Sequence, residues 1–322
     1  MRIASRIAVA VAAAALSAAA FAQGAYPNKP VKVIVPYAAG SATDQIARAF
    51  MNKVQEAMGQ PFVIDNKAGV NGMLGADALA KSPPDGYTIM VGTNSTNAAL
   101  KSLMKKLPYD QDTAFAPVAY MGQVPLIVAV NNDFKAKTLK ELVDVAKAKP
   151  GSVTFASAST SQLVSTEMLA SMAGMQLTSV PYKSGPAAMT DLIGGQVNMF
   201  TADFAVMLPQ VQAGKVRGLA VTSARRSPAV PNLPTVDEAL GIKGYELIAY
   251  FAAYAPAGTP RDVIDKLNHA INAAATSKDI VEKFASIGFV PEPGTPDDLG
   301  RRTKAETAKW AKAIKDAKIE QQ

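Results

Sequence analysis

Two short segments carry most of the side chains whose types and spacing could do chemistry. Ser41-Ala42-Thr43-Asp44 follows the small-residue run Ala38-Ala39-Gly40, and Ser157-Ala158-Ser159-Thr160-Ser161-Gln162 closes a second apolar run. In each, a Ser followed three residues later by Asp or Gln is the pattern of a capping box. Small residues between a strand and a helix also leave backbone N–H groups free at the positive end of the helix dipole. The chemistry this suits is anion binding, without arginine and without a covalent step. Hydrolytic chemistry has little to draw on. The chain has no cysteine and one histidine, His269, which lies beside Asn268 on a helical pattern and reads as partly exposed and inert. Thiol nucleophiles are therefore excluded, and a triad or zinc site would have a single residue to start from. Ser102-x-x-Lys105 has the spacing of a lactamase dyad but lacks the two accompanying motifs. Gly69, Gly72 and Gly75 do not fit G-x-G-x-x-G, so turns and close helix packing account for them. Asp203, after Phe200-Thr201-Ala202, reads from its position alone as an acid that caps or solvates its own loop.

Elements that could position these residues follow in order. Val31–Val35 reads as a buried strand ending at Pro36, and a helix then runs from Ser41 with Ile46, Ala47, Phe50, Met51, Val54 and Met58 on one face. Residues 62–64 predict a strand, 72–81 a helix and 87–91 a strand. This βαβαβ order implies a mostly parallel sheet with helices on both faces. The alternation restarts with a strand at 126–130, a helix opened by Thr138-x-x-Glu141 and a strand at 153–156, and this second unit ends with a strand at 218–222. An apolar extended stretch at 245–254 follows. Thr259-Pro260-x-Asp262 then opens a helix, and Thr295-Pro296-Asp297-Asp298 opens a last one that buries Leu299, Trp310 and Ile314.

The length of 322 residues suits two domains, and 49% apolar with 18% charged residues is the balance of a globular protein. The first 22 residues differ. Arg2 and Arg6 precede an alanine-rich apolar run, and Ala20-Phe21-Ala22 supplies the small residues of a signal-peptidase site, so residues 1–22 read as a cleavable signal peptide. That run is too short to span a bilayer, and the mature chain is expected to be periplasmic. Losing two arginines takes Lys+Arg from 33 to 31 against 26 acids, a surplus of five dispersed charges with no basic stripe for nucleic acid. No flexible linker separates the units, so the chain is expected to cross between lobes in extended segments near 121–125 and 249–254. The expected division is 23–124 with 250–322 as lobe 1 and 125–249 as lobe 2, and two crossings make a hinge.

Tyr26-Pro27-Asn28-Lys29-Pro30, Val35-Pro36-Tyr37 with Thr43-Asp44, and Pro84-Asp85-Gly86-Tyr87-Thr88 resemble the substrate-binding proteins of tripartite tricarboxylate transporters, the Bug family of periplasmic receptors. Val180-Pro181-Tyr182-Lys183, Gly194-Gly195-Gln196-Val197, Leu233-Pro234-Thr235-Val236 and Ala255-Pro256-Ala257-Gly258-Thr259-Pro260 continue the likeness in order and spacing. The resemblance implies a type II periplasmic-binding-protein fold, two α/β lobes closing over a small carboxylate, with no metal or organic cofactor and with membrane transporter subunits as partners. A sensor accessory that presents ligand to a membrane kinase uses the same fold, and an exported hydrolase is the reading from a different class. Carried over residue by residue, the ligand site comprises Tyr37, Ser41, Ala42, Thr43 and Asp44 from one lobe. From the other come Ser157, Ser159, Thr160, Ser161, Gln162 and Asp203, and Phe251 lies at the hinge.

The segment from Phe155 to Glu167 is about two residues shorter than in relatives and lacks a His often found there. Tyr250-Phe251 stands where Ser-Trp is common. A shorter second loop with Tyr37, Tyr250 and Phe251 as flat walls predicts an aromatic or medium-length dicarboxylate, unless the aromatics merely pack the hinge.

Overall fold

The computed structural model describes residues 26–285 and 287–322; the signal peptide expected at 1–22 lies outside them. The chain runs β1 (Val31–Val35), α1 (Ala42–Met58), β2 (Phe62–Asn66), α2 (Met73–Ala80), β3 (Thr88–Thr93), a π-helical turn (Ser95–Ala99) and α3 (Leu100–Leu103). It then forms β4 (Phe115–Asn131), α4 (Leu139–Ala148), β5 (Val153–Ser157), α5 (Thr160–Ala173), β6 (Leu177–Pro181), α6 (Gly185–Ile193), β7 (Met199–Asp203) and α7 (Phe204–Gln212). It finishes with β8 (Val216–Val221), α8 (Val236–Leu240), β9 (Ile248–Pro256), α9 (Arg261–Ala275), α10 (Lys278–Ala285), β10 (Val290–Pro291) and α11 (Pro296–Asp316).

The expected βαβαβ order is present, with β1 parallel to both β2 and β3. In the second unit β5 is parallel to β6 and β7. Val31, Val33 and Val35 are fully buried beneath Ile46, Phe50 and Val54 of α1, as the helical spacing of those residues requires. Two sheets meet along β4: it pairs antiparallel with β9 up to Pro125↔Ile248, and with β7 from Leu126↔Asp203 onward.

β4 departs from the sequence reading, which places a strand only at 126–130. Pro117, Gly122 and Pro125 look like strand breakers. Pro117 and Gly122 are accommodated because the pairing with β9 shifts register between Pro117 and Ala119 and between Tyr120 and Gly122, bulges that absorb a missing donor and bend the strand, while Pro125 stands at the last pair with β9, where β4 passes to the other sheet. Gly122 has φ 146°, and a Cβ there would sit 2.3 Å from the Val290 carbonyl oxygen. The second connection, Leu247–Ile248, lies slightly before the stretch expected at 249–254: the Leu247 N–H donates to Thr222 in one sheet while Ile248 pairs in the other.

Helix α11 opens with a full capping box, Thr295 and Asp298 each bonding the other's backbone N–H. It buries Leu299, Trp310 and Ile314 as the sequence predicts. The helix packs on β4, on the π-turn and on α5, and so touches both sheets. His269 is exposed, as expected, and Asn268 beside it donates to the Val118 and Gly294 carbonyls.

Candidate functional site

A cavity of about 40 Å³ lies where the two sheets' helices face each other, lined by Tyr37, Ser41, Ala42, Thr43, Ser159, Ser161, Gln162, Asp203 and Phe251. These nine sequence-derived candidates come from five separated segments. Four helices start at this cavity: α1 through Ala42 and Thr43, α5 through Ser161 and Gln162, α6 through Ser184 and Gly185, and α7 beside Asp203. Each turns its positive dipole end toward the cavity, although side chains already cap some first-turn N–H groups, those of Asp44, Ser161 and Ala187 among them, so the arrangement favours negative charge without a guanidinium.

The two serine loops reach the cavity by different constructions. In the first, Ser41 Oγ accepts the Asp44 N–H at 3.3 Å. The Asp44 side chain does not complete the expected box; its carboxylate accepts from Gly40 N–H at 2.9 Å, from Asn66 Nδ2 at 2.9 Å and from Arg48 Nε at 3.0 Å. Burial alone would raise the Asp44 carboxyl, but the hydrogen bonds from Arg48, Gly40 and Asn66 with the Arg48 charge outweigh it and hold it below its ordinary value. Asp44 therefore shapes the loop and does not line the cavity.

In the second loop the expected Ser159–Gln162 box is replaced by another arrangement. Gln162 Oε1 accepts the Ala158 N–H at 2.8 Å, while Ser159 Oγ pairs with Ser161 Oγ at 3.1 Å and caps nothing. The Ser161 N–H is taken across the cleft by Ser95 Oγ at 3.0 Å. Ser157 and Thr160 are not on this lining: Ser157 lines the adjoining compartment, its Oγ 3.5 Å from Ser179 Oγ, and Thr160 is fully buried with its hydroxyl unpartnered.

Asp203 is the one carboxylate on the lining, 8% exposed. Desolvation raises its carboxyl to about 6, against lowering by its own backbone N–H and by the Gln162 amide. Tyr37 shares a hydrogen bond with Thr93 at 3.1 Å, and burial pushes its phenol up to about 12, so it stays neutral. Phe251 and Ala249 face the cavity, whereas Tyr250 between them does not form the expected wall. Strand alternation turns it to the other face of β9, where it packs 5.6 Å from Tyr120 and shares a hydrogen bond with Tyr254 at 3.1 Å. The inner cavity itself is small, about 40 Å³ against the 300–1,000 Å³ of ordinary small-molecule sites.

Thr93, Lys183, Ser184 and Gly185 also line the cavity, and Ser95 supports it from behind, none of them singled out from the sequence. A signal for the first was present. The polar run Thr93-Asn94-Ser95-Thr96-Asn97 begins at the last residue of strand β3, and the carboxyl ends of such strands are where α/β sheets bind ligands. All five residues are buried, and Ser95–Ala99 forms a π-turn, a form frequent at functional sites. Ser184 and Gly185 were legible as a cap preceding Pro186.

This architecture is that of the two-lobed α/β periplasmic binding proteins. Residues 46–319 match the tripartite tricarboxylate transporter family receptor (TctC), and the chain belongs to that family. It is similar to the solved structure of Rpa4515 from R. palustris with adipate, at 34% identity and TM-score 0.89, covering 92% of this chain and all of that one. The periplasmic binding protein BugD matches at 32% identity and TM-score 0.88, again over 92% of this chain and all of its own. MatC from Rhodopseudomonas palustris with bound malate matches at 30% and 0.86, covering 90% and 100%. The Bug-family resemblance read from the motifs is thereby established, and the family is one of solute-binding receptors.

Proposed function

We infer that the chain captures a small organic carboxylate, a medium-length dicarboxylate fitting best, between lobes 23–124 with 250–322 and 125–249. In this reading it acts in the periplasm and delivers the ligand to the membrane subunits of a tripartite tricarboxylate transporter. The observation that carries the reading is the convergence of four helix N-termini on one cavity whose lining holds no arginine. Neutral, preorganised donors hold an anion yet release it when the lobes part, which suits a carrier. The dicarboxylates bound by Rpa4515 and MatC support the ligand class.

Asp203 adds a pH dependence whose sign follows from its raised pKa. Above about pH 6 it is ionised and repels a carboxylate; below that it is neutral and can donate a hydrogen bond. Its contribution to stability is correspondingly present at low pH and lost as pH rises through about 6. Calorimetric titration with adipate, malate, citrate, acidic amino acids and benzene dicarboxylates at pH 5 and pH 8 tests both points. The expected result is reversible one-to-one binding of unchanged ligand, tighter at the lower pH, with part of that difference abolished in Asp203→Asn. Ligand at roughly 100 times its dissociation constant should stabilise the fold by about 2.7 kcal/mol. A panel without binding, or one in which a ligand is consumed, overturns the receptor reading.

A further inference from the structure

The inner cavity is not the whole of the space between the lobes. A second compartment of about 300 Å³ adjoins it and shares three lining residues, Tyr37, Ala158 and Lys183. Its walls are residues 68–72 and Gln322 on one side and Ser157, Leu163, Pro181 and Tyr182 on the other, so it lies between the lobes as an outer compartment beside the inner cavity, called the mouth below.

Charge is distributed unevenly over the two compartments. Asp203 lies in the inner one, and among the described residues Lys183 is the sole charged side chain on the mouth and the sole cationic side chain on either lining. Lys183 is exposed, and among the described residues its ammonium has no ion-pair partner. An acid within reach of this turn, Asp191, is engaged by the Tyr182 hydroxyl at 2.7 Å. The facing wall is strained. Val70 has φ 46° and Asn71 φ 56°, and a β-branched residue in the left-handed region is an outlier of the kind retained at ligand clamps.

We propose that the mouth compartment is a distal subsite and that Lys183 is the specificity-determining residue that selects doubly charged ligands. This rests on the carboxylate-receptor reading above. The near carboxylate sits against the helix N-termini, and Asp203 disfavours a second negative charge beside it. The far carboxylate is therefore directed outward to Lys183, while the intervening carbons lie along Tyr37, Leu163 and Pro181. A monocarboxylate of the same length gains the inner contacts but not the outer one.

The test compares adipate with monomethyl adipate, a near-isosteric monoanion, on the mature wild-type chain and on Lys183→Gln and Lys183→Arg. Wild type should prefer adipate by on the order of tenfold, the worth of one charge-assisted contact at a partly solvated site. Lys183→Gln should bring the two ligands within about twofold by weakening adipate alone, and Lys183→Arg should restore most of the preference. The preference should also shrink between low and high salt, because the pair is at the rim. Equal weakening of both ligands by Lys183→Gln, or an unchanged preference, overturns the subsite while leaving the receptor reading standing. A wild-type protein that binds the monoester as well as adipate does the same. Binding of neither probe nor any other carboxylate removes the receptor reading and the subsite together.

Discussion

The loops before α1 and before α5 begin from the same pattern, Ser-x-x-Asp and Ser-x-x-Gln, and end as two different constructions. The α1 loop is complete within its own lobe. Asp44 ties Gly40, Asn66 and Arg48 together, leaving the N–H groups of Ala42 and Thr43 to face the cavity. The α5 loop is completed from outside: its Ser161 N–H is capped by Ser95 of the opposite lobe, and its own serines pair with each other. The first network is self-contained, whereas the second includes a contact across the cleft. The physical reason is the difference between a carboxylate, which can gather several donors at once, and an amide oxygen with a single partner.

Breaking the first loop should have the largest effect. Asp44→Ala strands the Gly40 N–H and the Asn66 and Arg48 donors, and should lower stability by about 2 kcal/mol in urea unfolding while also weakening carboxylate binding. Because its pKa is depressed, this stabilisation is present above the ordinary carboxylate range and is lost as pH falls through the folded-state value. An Asp44→Ala protein as stable as wild type would show the loop is not preformed.

A smaller change isolates the donor from the scaffold. Ala42 is the first residue of α1, and Ser41 before it has φ −65° and ψ 161°, a conformation that tolerates a following proline. Ala42→Pro should therefore leave the melting temperature nearly unchanged but remove one N–H from the cavity, costing carboxylate affinity about tenfold by calorimetry. Undiminished affinity in a folded variant would exclude α1 from the anion site.

The smallest effect concerns the second loop. Ser95→Ala removes the cross-cleft cap from the Ser161 N–H and should shift the ligand-free protein toward the open form by about 1 kcal/mol. Small-angle scattering would register this as a larger radius of gyration without ligand and an unchanged one with it. Identical free-state curves for wild type and variant would mean that the α5 loop does not depend on closure.

The βαβαβ unit, the face of α1 and the opening of α11 are legible in the linear order, because strand alternation, helical spacing and caps are local; the twelve proposed site residues come from the family resemblance, and nine of them line one cavity. Several features are not local. Asp44 and Gln162 turn away from their expected partners because Gly40 and Ala158 offer N–H groups in better reach, which spacing alone does not reveal. Tyr250 goes to the core while its neighbours line the cavity, decided by the face of β9 that the second sheet leaves open. Pro117 sits inside one long strand because a bulge absorbs it, and Pro125 because it falls where β4 passes from one sheet to the other. The sequence by itself determined the repeated strand–loop–helix units and the small residues at their helix starts. Only the tertiary structure decided that four of those starts share one cavity, that Ser95 reaches across to one of them, and that Lys183 stands alone at the mouth. Those facts depend on pairings between residues 60 to 150 positions apart, set by how the two sheets meet along β4, and no short-range pattern encodes them.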